Sequence, residues 1–189
     1  LAIGGTGKSP MTEYIVTLLK EEYKLATLSR GYGRKTRGFK YVEVTDTAVN
    51  VGDEPLQFKH KFPSITVAVC EDRCAGMDIL QHEHDLVILD DAYQHRKLKP
   101  GFSILLFEFQ SLFTPFITLP TGNFRDDIRA SKRADIIVIT KCPLHITDEQ
   151  KRHIEHRIRP YNTCPIFYSQ IAYSLPKELN TERDSAPFI

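Results

Sequence analysis

Residues 3–10 read Ile3-Gly4-Gly5-Thr6-Gly7-Lys8-Ser9-Pro10. Glycines allow the positive-φ turns that point successive backbone N–H groups inward, as a loop that wraps a polyphosphate requires. The proline suits the first turn of a following helix, whose N-terminal dipole also favours anions. The stretch therefore predicts a phosphate-binding loop, in which Lys8 reaches the outer phosphates and Ser9 holds Mg²⁺.

The strict form of this motif, G-x-x-x-x-G-K-[S/T], has glycine where this chain has Ala2, while the rest is intact. An ordinary glycine-rich turn before a helix is the alternative interpretation. Because a phosphate-binding loop normally follows a buried strand, we expect the sequence to begin inside that strand. The residues predicted to contact nucleotide are Ala2, Ile3, Gly4, Gly5, Thr6, Gly7, Lys8 and Ser9.

The composition is that of a soluble globular protein, with 41% apolar and 26% charged residues among 189. Twenty-five basic residues balance 24 acidic ones, so we expect no nucleic-acid partner. The four cysteines lack a C-x-x-C pair, which favours free thiols in a reducing compartment. No apolar run approaches the roughly 20 residues that span a bilayer. We expect residues 1–175 to form one nucleotide-binding domain, and residues 176–189 to begin a linker or an incomplete C-terminal lobe.

Short apolar runs alternate with helical patterns along the chain. The runs predicted to be buried strands are 24–29, 66–69, 85–89, 103–107 and 135–139. A helix with a capping box is predicted from Thr147, with Gln150 three residues on. This alternation predicts an α/β fold of the P-loop NTPase kind, in which a mostly parallel sheet is flanked by helices in three layers.

A basic segment, residues 30–40, follows the strand at 24–29 and carries five cations without an acid. Ligands of open α/β sheets bind at the carboxyl ends of strands. The interleaved Tyr32 and Phe39 favour contact with an anionic ligand or an anionic membrane surface. A solvated turn is the alternative.

Two acidic sites complete the pattern. Asp90 and Asp91 end an apolar strand, where a carboxylate can hold Mg²⁺ opposite a phosphate-binding loop. Gln94 and His95 follow, beside the expected γ-phosphate. Asp53 and Glu54 precede a helical stretch, and there the alternative is that they only favour the helix dipole.

Taken together, five blocks between residue 1 and about residue 143 resemble the tetraacyldisaccharide 4′-kinases, the lipid A 4′-kinases of Gram-negative bacteria. The blocks are Gly4-Gly5-Thr6-Gly7-Lys8-Ser9-Pro10, Leu28-Ser29-Arg30-Gly31-Tyr32, Gly52-Asp53-Glu54-Pro55, Leu89-Asp90-Asp91-Ala92-Tyr93-Gln94-His95-Arg96 and Leu119-Pro120-Thr121-Gly122-Asn123-Phe124-Arg125. The resemblance implies ATP- and Mg²⁺-dependent phosphorylation of the 4′-hydroxyl of an acylated glucosamine disaccharide 1-phosphate. It also implies a location at the cytoplasmic face of the bacterial inner membrane, peripheral or anchored by a helix absent from this sequence, and a smaller C-terminal lobe that is incomplete here.

Residue roles follow from the resemblance and from the motifs. Asp53 matches the family's base, which a histidine of the C-terminal part assists; no position here is matched to that histidine. Thr121 and Asn123 differ from the commoner family form, whereas Arg125 is in place. The predicted catalytic residues are Asp53, Lys8, Asp91 and His95, and the predicted metal ligands are Ser9, Asp90, Asp91 and Glu54. The predicted substrate contacts are Arg30, Tyr32, Arg73, Gln94 and Arg125.

Two other functions use the same loop. A nucleotide-dependent switch or GTPase-like module would share the phosphate-binding loop and the aspartate at the strand tip. The guanine-reading N-K-x-D motif is missing, since Pro143 stands at the aspartate position after Lys141. The Asp53–Glu54 pair also favours a kinase. A lipid-surface-binding fragment without activity is the third interpretation.

Overall fold

The computed structural model describes residues 5–121 and 124–172. Its helices are α1 (Lys8–Leu19), α2 (Ala48–Val51), α3 (Asp53–Lys61), α4 (Arg73–Leu80) and α5 (Asp148–Ile158). Its strands are β1 (Leu25–Ser29), β2 (Lys40–Tyr41), β3 (Thr66–Val69), β4 (Leu86–Leu89), β5 (Ile104–Glu108), β6 (Ile136–Thr140) and β7 (Ile166–Tyr168). Short 3-10 helices cover Phe109–Phe113 and Ile128–Arg133.

The strands of this part of the chain form two sheets. The first has the order β2-β3-β1-β4, in which β1 pairs in parallel with β3 and β4, and only the two-residue edge strand β2 is antiparallel. The second sheet, β5-β6-β7, is entirely parallel. The predicted α/β class with a mostly parallel sheet flanked by helices is confirmed.

Burial explains why the apolar runs become strands. Four successive residues of β1, from Leu25 to Leu28, are buried, as expected of a strand covered on both faces. In the second sheet, Phe107 and Ile137 pack in one cluster with Leu112, Ile154 and Ile158. Each such side chain contributes about 1.5–3 kcal/mol on burial, so the two sheets have substantial cores.

Side-chain caps define where two of the helices begin. Asp72 precedes α4, and its Oδ1 accepts from the backbone N–H of Cys74 at 2.9 Å and more weakly from that of Ala75. The predicted capping box at Thr147 and Gln150 is present at the start of α5. Gly76 lets α4 lie against β1, because a Cβ at this position would stand 2.7 Å from Leu28 Cδ2.

Parallel pairing gathers two of the segments predicted to form the site at one edge of the first sheet. The carboxyl ends of β1, β3 and β4 are aligned by the pairs Ser29–Val69 and Leu28–Leu89. The chain leaves β4 into Asp90 and leaves β1 into Arg30 at this edge. None of the helices within 5–121 and 124–172 is long and apolar enough to cross a membrane. The predicted unit 176–189 lies outside the described residues.

Candidate active site

The phosphate-binding loop leads directly into α1. Gly5 and Gly7 adopt left-handed φ angles of 72° and 80°, which favour glycine, and the Gly7 carbonyl accepts from Met11 N at 3.1 Å. Lys8 and Ser9 therefore occupy the first turn of α1, which begins two residues before the Pro10 start that the sequence predicts. Three further residues predicted to bind nucleotide, Ala2, Ile3 and Gly4, lie outside the described residues.

Asp91 lies between two cations. Lys8 Nζ is 3.6 Å from its Oδ1, and Arg125 Nη1 donates to its Oδ2 at 2.8 Å. Asp91 itself has a left-handed φ of 49°, which is uncommon outside glycine, so the backbone turns sharply just after β4. This turn brings three residues of three separate sequence blocks together at the loop.

A second group of oxygen atoms adjoins the first. Ser9 Oγ donates to Glu54 Oε1 at 3.4 Å, which joins α1 to the start of α3. Burial raises the pKa of Asp90; the charges of Glu54 and Asp91 raise it further, against the effect of Lys8. Crowded carboxylates beside a hydroxyl are the donors that Mg²⁺ prefers, so these residues fit that ion.

Asp53 and Glu54 differ in their positions. Glu54 lines the cleft, whereas Asp53 is an exposed residue at the first position of α3 and is not among the lining side chains of the described chain. Gly52 holds this helix start against the basic segment, because a Cβ there would be 3.0 Å from the Tyr32 carbonyl oxygen. Tyr32 and the acidic pair are thus neighbours across a close backbone contact.

The cleft has a volume of about 1820 Å³ and is lined by the described loop residues and by all five of the predicted substrate contacts. The predicted residues on its wall are Arg30, Tyr32, Arg73, Asp90, Asp91, Gln94, His95 and Arg125. Tyr32 is 90% exposed, whereas Arg73 is only 5% exposed and donates to the Cys70 carbonyl. Burial and the nearby Arg30 lower the pKa of Arg73.

Some cations of the basic segment pair with other residues of the protein. Arg34 is buried and pairs with Glu71 at 2.8 Å, while its Nη2 donates to the Gly38 carbonyl at 2.6 Å. Lys40 pairs with Asp46 at 2.9 Å. Two of the five cations therefore organise the protein itself, and Arg30, Lys35 and Arg37 are left exposed toward solvent.

Two residues at the end of β6 were not predicted. The hydroxyl of Thr140 donates to the Thr6 carbonyl at 2.9 Å, and Lys141 Nζ pairs with Glu108 at 3.1 Å. That ammonium is 3.6 Å from the place a Cβ on Gly5 would take. The only sequence signal was the Thr140-Lys141 pair after a predicted strand, which lacks the aspartate of the guanine-reading motif.

Comparison with known proteins identifies the family. The family model described as "LpxK: Tetraacyldisaccharide-1-P 4'-kinase" matches residues 1–185. The tetraacyldisaccharide 4'-kinase of Flavobacterium johnsoniae is 41% identical over 189 residues, covering 98% of this chain and 56% of the relative. That of Bacteroides thetaiotaomicron is 42% identical over 177 residues, covering 92% and 47%.

A solved structure agrees with these relatives. LpxK from Aquifex aeolicus in complex with ATP superimposes with a TM-score of 0.70 at 31% identity, covering 89% of this chain and 51% of that chain. The chain thus spans about half the length of the relatives it matches. By sequence, by fold and by the convergence of its quoted blocks on one cleft, the chain belongs to the tetraacyldisaccharide-1-P 4'-kinase family.

Proposed function

We propose that this chain carries the nucleotide-binding part of an ATP-dependent kinase. The enzyme transfers the γ-phosphoryl group to the 4′-hydroxyl of an acylated glucosamine disaccharide 1-phosphate in lipid A biosynthesis. The observation that carries the proposal is the meeting of Lys8, Ser9, Glu54 and Asp91 at one cleft in a member of this family. ATP in the related Aquifex structure supports the choice of nucleotide.

Phosphoryl transfer depends mainly on positioning and on charge neutralisation. Lys8 and the amides of the glycine loop would hold the β- and γ-phosphates. Ser9, Asp90, Asp91 and Glu54 would hold Mg²⁺, which neutralises the negative charge on the phosphates when bound. Since Lys8 already pairs with Asp91, bound phosphate would compete with this carboxylate for the ammonium.

The acceptor side would use residues around the start of α3. Asp53 orients or deprotonates the sugar hydroxyl, and its exposure leaves it open to a substrate entering from solvent. His95 and Gln94 stand beside the γ-phosphate, while Arg30, Tyr32, Arg73 and Arg125 contact phosphate or sugar. Each charge-assisted hydrogen bond of this kind contributes about 1.5–3 kcal/mol.

The acyl chains of the substrate imply work at a membrane surface. We assign the contact with anionic lipid to Arg30, Lys35, Arg37 and the exposed ring of Tyr32, at the cytoplasmic face of the inner membrane. Each cation near an anionic membrane surface contributes about 1 kcal/mol, so these three cationic side chains would bind the membrane weakly and in a salt-sensitive way. Replacing Lys35 and Arg37 by glutamine tests this: binding to anionic vesicles should fall more at low salt than at high salt.

The decisive experiment measures phosphate transfer by the full-length protein. Labelled γ-phosphate from ATP should pass to a lipid A disaccharide precursor far faster than to water. Asp53→Ala should lower kcat by about two to four orders of magnitude with little change in the KM for ATP, because a general base supplies that range. Asp78→Asn, an exposed change on α4, is the matched control.

The same assay separates the alternative function. A nucleotide-dependent switch would hydrolyse ATP or GTP and leave the lipid sugar unlabelled. Near-normal transfer by Asp53→Ala would remove Asp53 from the chemistry while leaving the kinase assignment in place.

A further inference from the structure

Three side chains of metal-binding type meet at the start of α4: two flank Arg73 in the sequence, and the third comes from the loop after β4. The ligand atoms offered by Asp72, Cys74 and His95 all lie within 4.8 Å of one another. Asp72 and Cys74 are outside the cleft lining, whereas His95 belongs to it. We propose that these residues form a binding site for a zinc-class divalent cation, and that occupancy of the site inhibits the enzyme by withdrawing His95 from the cleft.

The local fold leaves each of the three residues available. Both hydrogen bonds that the Asp72 carboxylate accepts go to Oδ1, the helix-capping oxygen, which leaves Oδ2 for another partner. Cys74 is a half-buried free thiol. His95 Nε2 is buried, and within the described part of the chain it has no hydrogen-bond partner. A buried polar atom without a partner is costly, so it indicates a missing ligand or water.

The backbone fixes the three residues independently of any metal. Cys74 sits in the first turn of α4, which Asp72 caps. His95 is held in a tight turn after β4, in which its N–H donates to the Ala92 carbonyl at 2.8 Å. The site therefore joins the α4 start to the loop that carries Asp90 and Asp91. A cation bound here would connect these two segments directly.

The chemistry of the three ligand atoms favours Zn²⁺ over Mg²⁺ at this site. Thiolate, imidazole and carboxylate are the ligands of Zn²⁺, at about 2.0–2.3 Å from the metal, so tetrahedral ligand atoms lie roughly 3.5 Å apart. Small side-chain rotations would close the observed spacing to this value. Thiolate and carboxylate together neutralise the ion, and the thiol proton is released to solvent on binding. Mg²⁺ prefers oxygen ligands and would remain at the phosphate side.

The inhibitory effect rests on the proposed function, because it requires His95 to act beside the γ-phosphate. Three protein ligands leave a fourth position for water, as in an exchangeable rather than a closed structural site. Coordination by the ring nitrogen would stop His95 from donating to, or accepting from, the reacting phosphate.

The binding test uses Co²⁺ as a spectroscopic probe on the full-length protein. A near-ultraviolet band from thiolate-to-cobalt charge transfer should rise on titration and disappear when Zn²⁺ is added. Cys74→Ser should abolish the band. Cys164→Ser, which changes a half-buried thiol packed against the core of the second sheet, should preserve it. Absence of the band in the unmodified protein, or its persistence in Cys74→Ser, would overturn the site.

The activity test follows with Mg²⁺ in excess. Zn²⁺ should inhibit phosphate transfer by the unmodified enzyme, and Cys74→Ser should keep its basal rate while needing more than roughly a hundredfold more Zn²⁺, since losing a ligand exceeds the 10–100-fold effect of losing an outer partner. A cobalt band without inhibition would overturn the regulatory part. A protein that shows the band but transfers no phosphate even without Zn²⁺ would refute the proposed function instead.

Discussion

Lys8 is surrounded by more negative than positive charge. Asp91 lies 3.6 Å away, and Asp90 feels both Glu54 and Asp91 as repelling neighbours. At the level of a single side chain, Lys8 neutralises these carboxylates, and in the proposed function it would also neutralise phosphate once nucleotide binds. Its removal should affect binding more than folding, because the ammonium is partly exposed.

We predict that Lys8→Ala lowers ATP affinity by about ten- to a hundredfold, the loss of one charge-assisted contact. Titration calorimetry with ATP and Mg²⁺ measures this directly. Lys20→Ala, which removes a partly exposed cation just after the same helix, is the matched control. Unchanged ATP affinity in Lys8→Ala would contradict the phosphate-binding role of the loop.

Asp46 makes part of the stability of the protein dependent on pH. Burial raises the pKa of its carboxyl group, but the Glu43 N–H bond and Lys40 outweigh this effect, so the pKa lies below its usual 3.8. The stabilisation is present above that value and is lost as pH falls through the lowered pKa. Asp46→Asn should cost about 1 kcal/mol in urea unfolding at neutral pH.

In acid, Asp46→Asn should have the same unfolding free energy as the unmodified protein. Below the lowered pKa the native carboxyl is protonated in both the folded and unfolded states, so it stabilises no more than the amide does. Asp78→Asn controls for the change in net charge. An equal loss of unfolding free energy in Asp46→Asn at neutral and acidic pH would contradict the argument.

At the scale of elements, most strands were predictable because their burial dictates composition. The runs at 66–69, 85–89 and 135–139 became β3, β4 and β6 within a residue or so, and the capping box of α5 was explicit in Thr147 and Gln150. The internal use of Arg34 was not predictable, since its partner Glu71 is remote in sequence and no local pattern connects them.

Arg34 should determine whether the basic segment is ordered. Its side chain is only 2% exposed, and its guanidinium contacts Glu71, Gly38 and Thr36. We predict that Arg34→Gln costs about 2–4 kcal/mol, toward the lower end because Glu71 is partly in water. Amide hydrogen exchange across residues 35–41 should accelerate.

Arg37→Gln is the matched control for this segment, because Arg37 is an exposed cation three residues away. Its exchange rates should stay close to those of the unmodified protein. Unchanged exchange in Arg34→Gln would mean that the Gly31, Gly33 and Gly38 turns hold the segment without the ion pair.

At the scale of the whole molecule, the site depends on contacts between distant parts of the chain. Thr140 bonds to the carbonyl of Thr6 across 134 positions, and Ser9 bonds to Glu54 across 45. Sequence blocks predicted which residues would carry the chemistry, but the neighbours of the loop come from tertiary packing. For that reason the sequence did not indicate Thr140 and Lys141 as neighbours of the loop, whereas Lys8 and Asp91, both predicted for the site, lie 3.6 Å apart.

The crowding of Glu54, Asp90 and Asp91 has a consequence for heat resistance. Burial first, and then the charges of Glu54 and Asp91, raise the pKa of Asp90, so the ionised group disfavours the native state until a cation relieves it. A ligand that binds only the folded chain adds about 2.7 kcal/mol at a hundred times its Kd. The melting temperature should therefore rise with Mg²⁺ and ATP together, and much less in Asp90→Asn. The site proposed for the chemistry would then also determine part of the thermal stability of the fold.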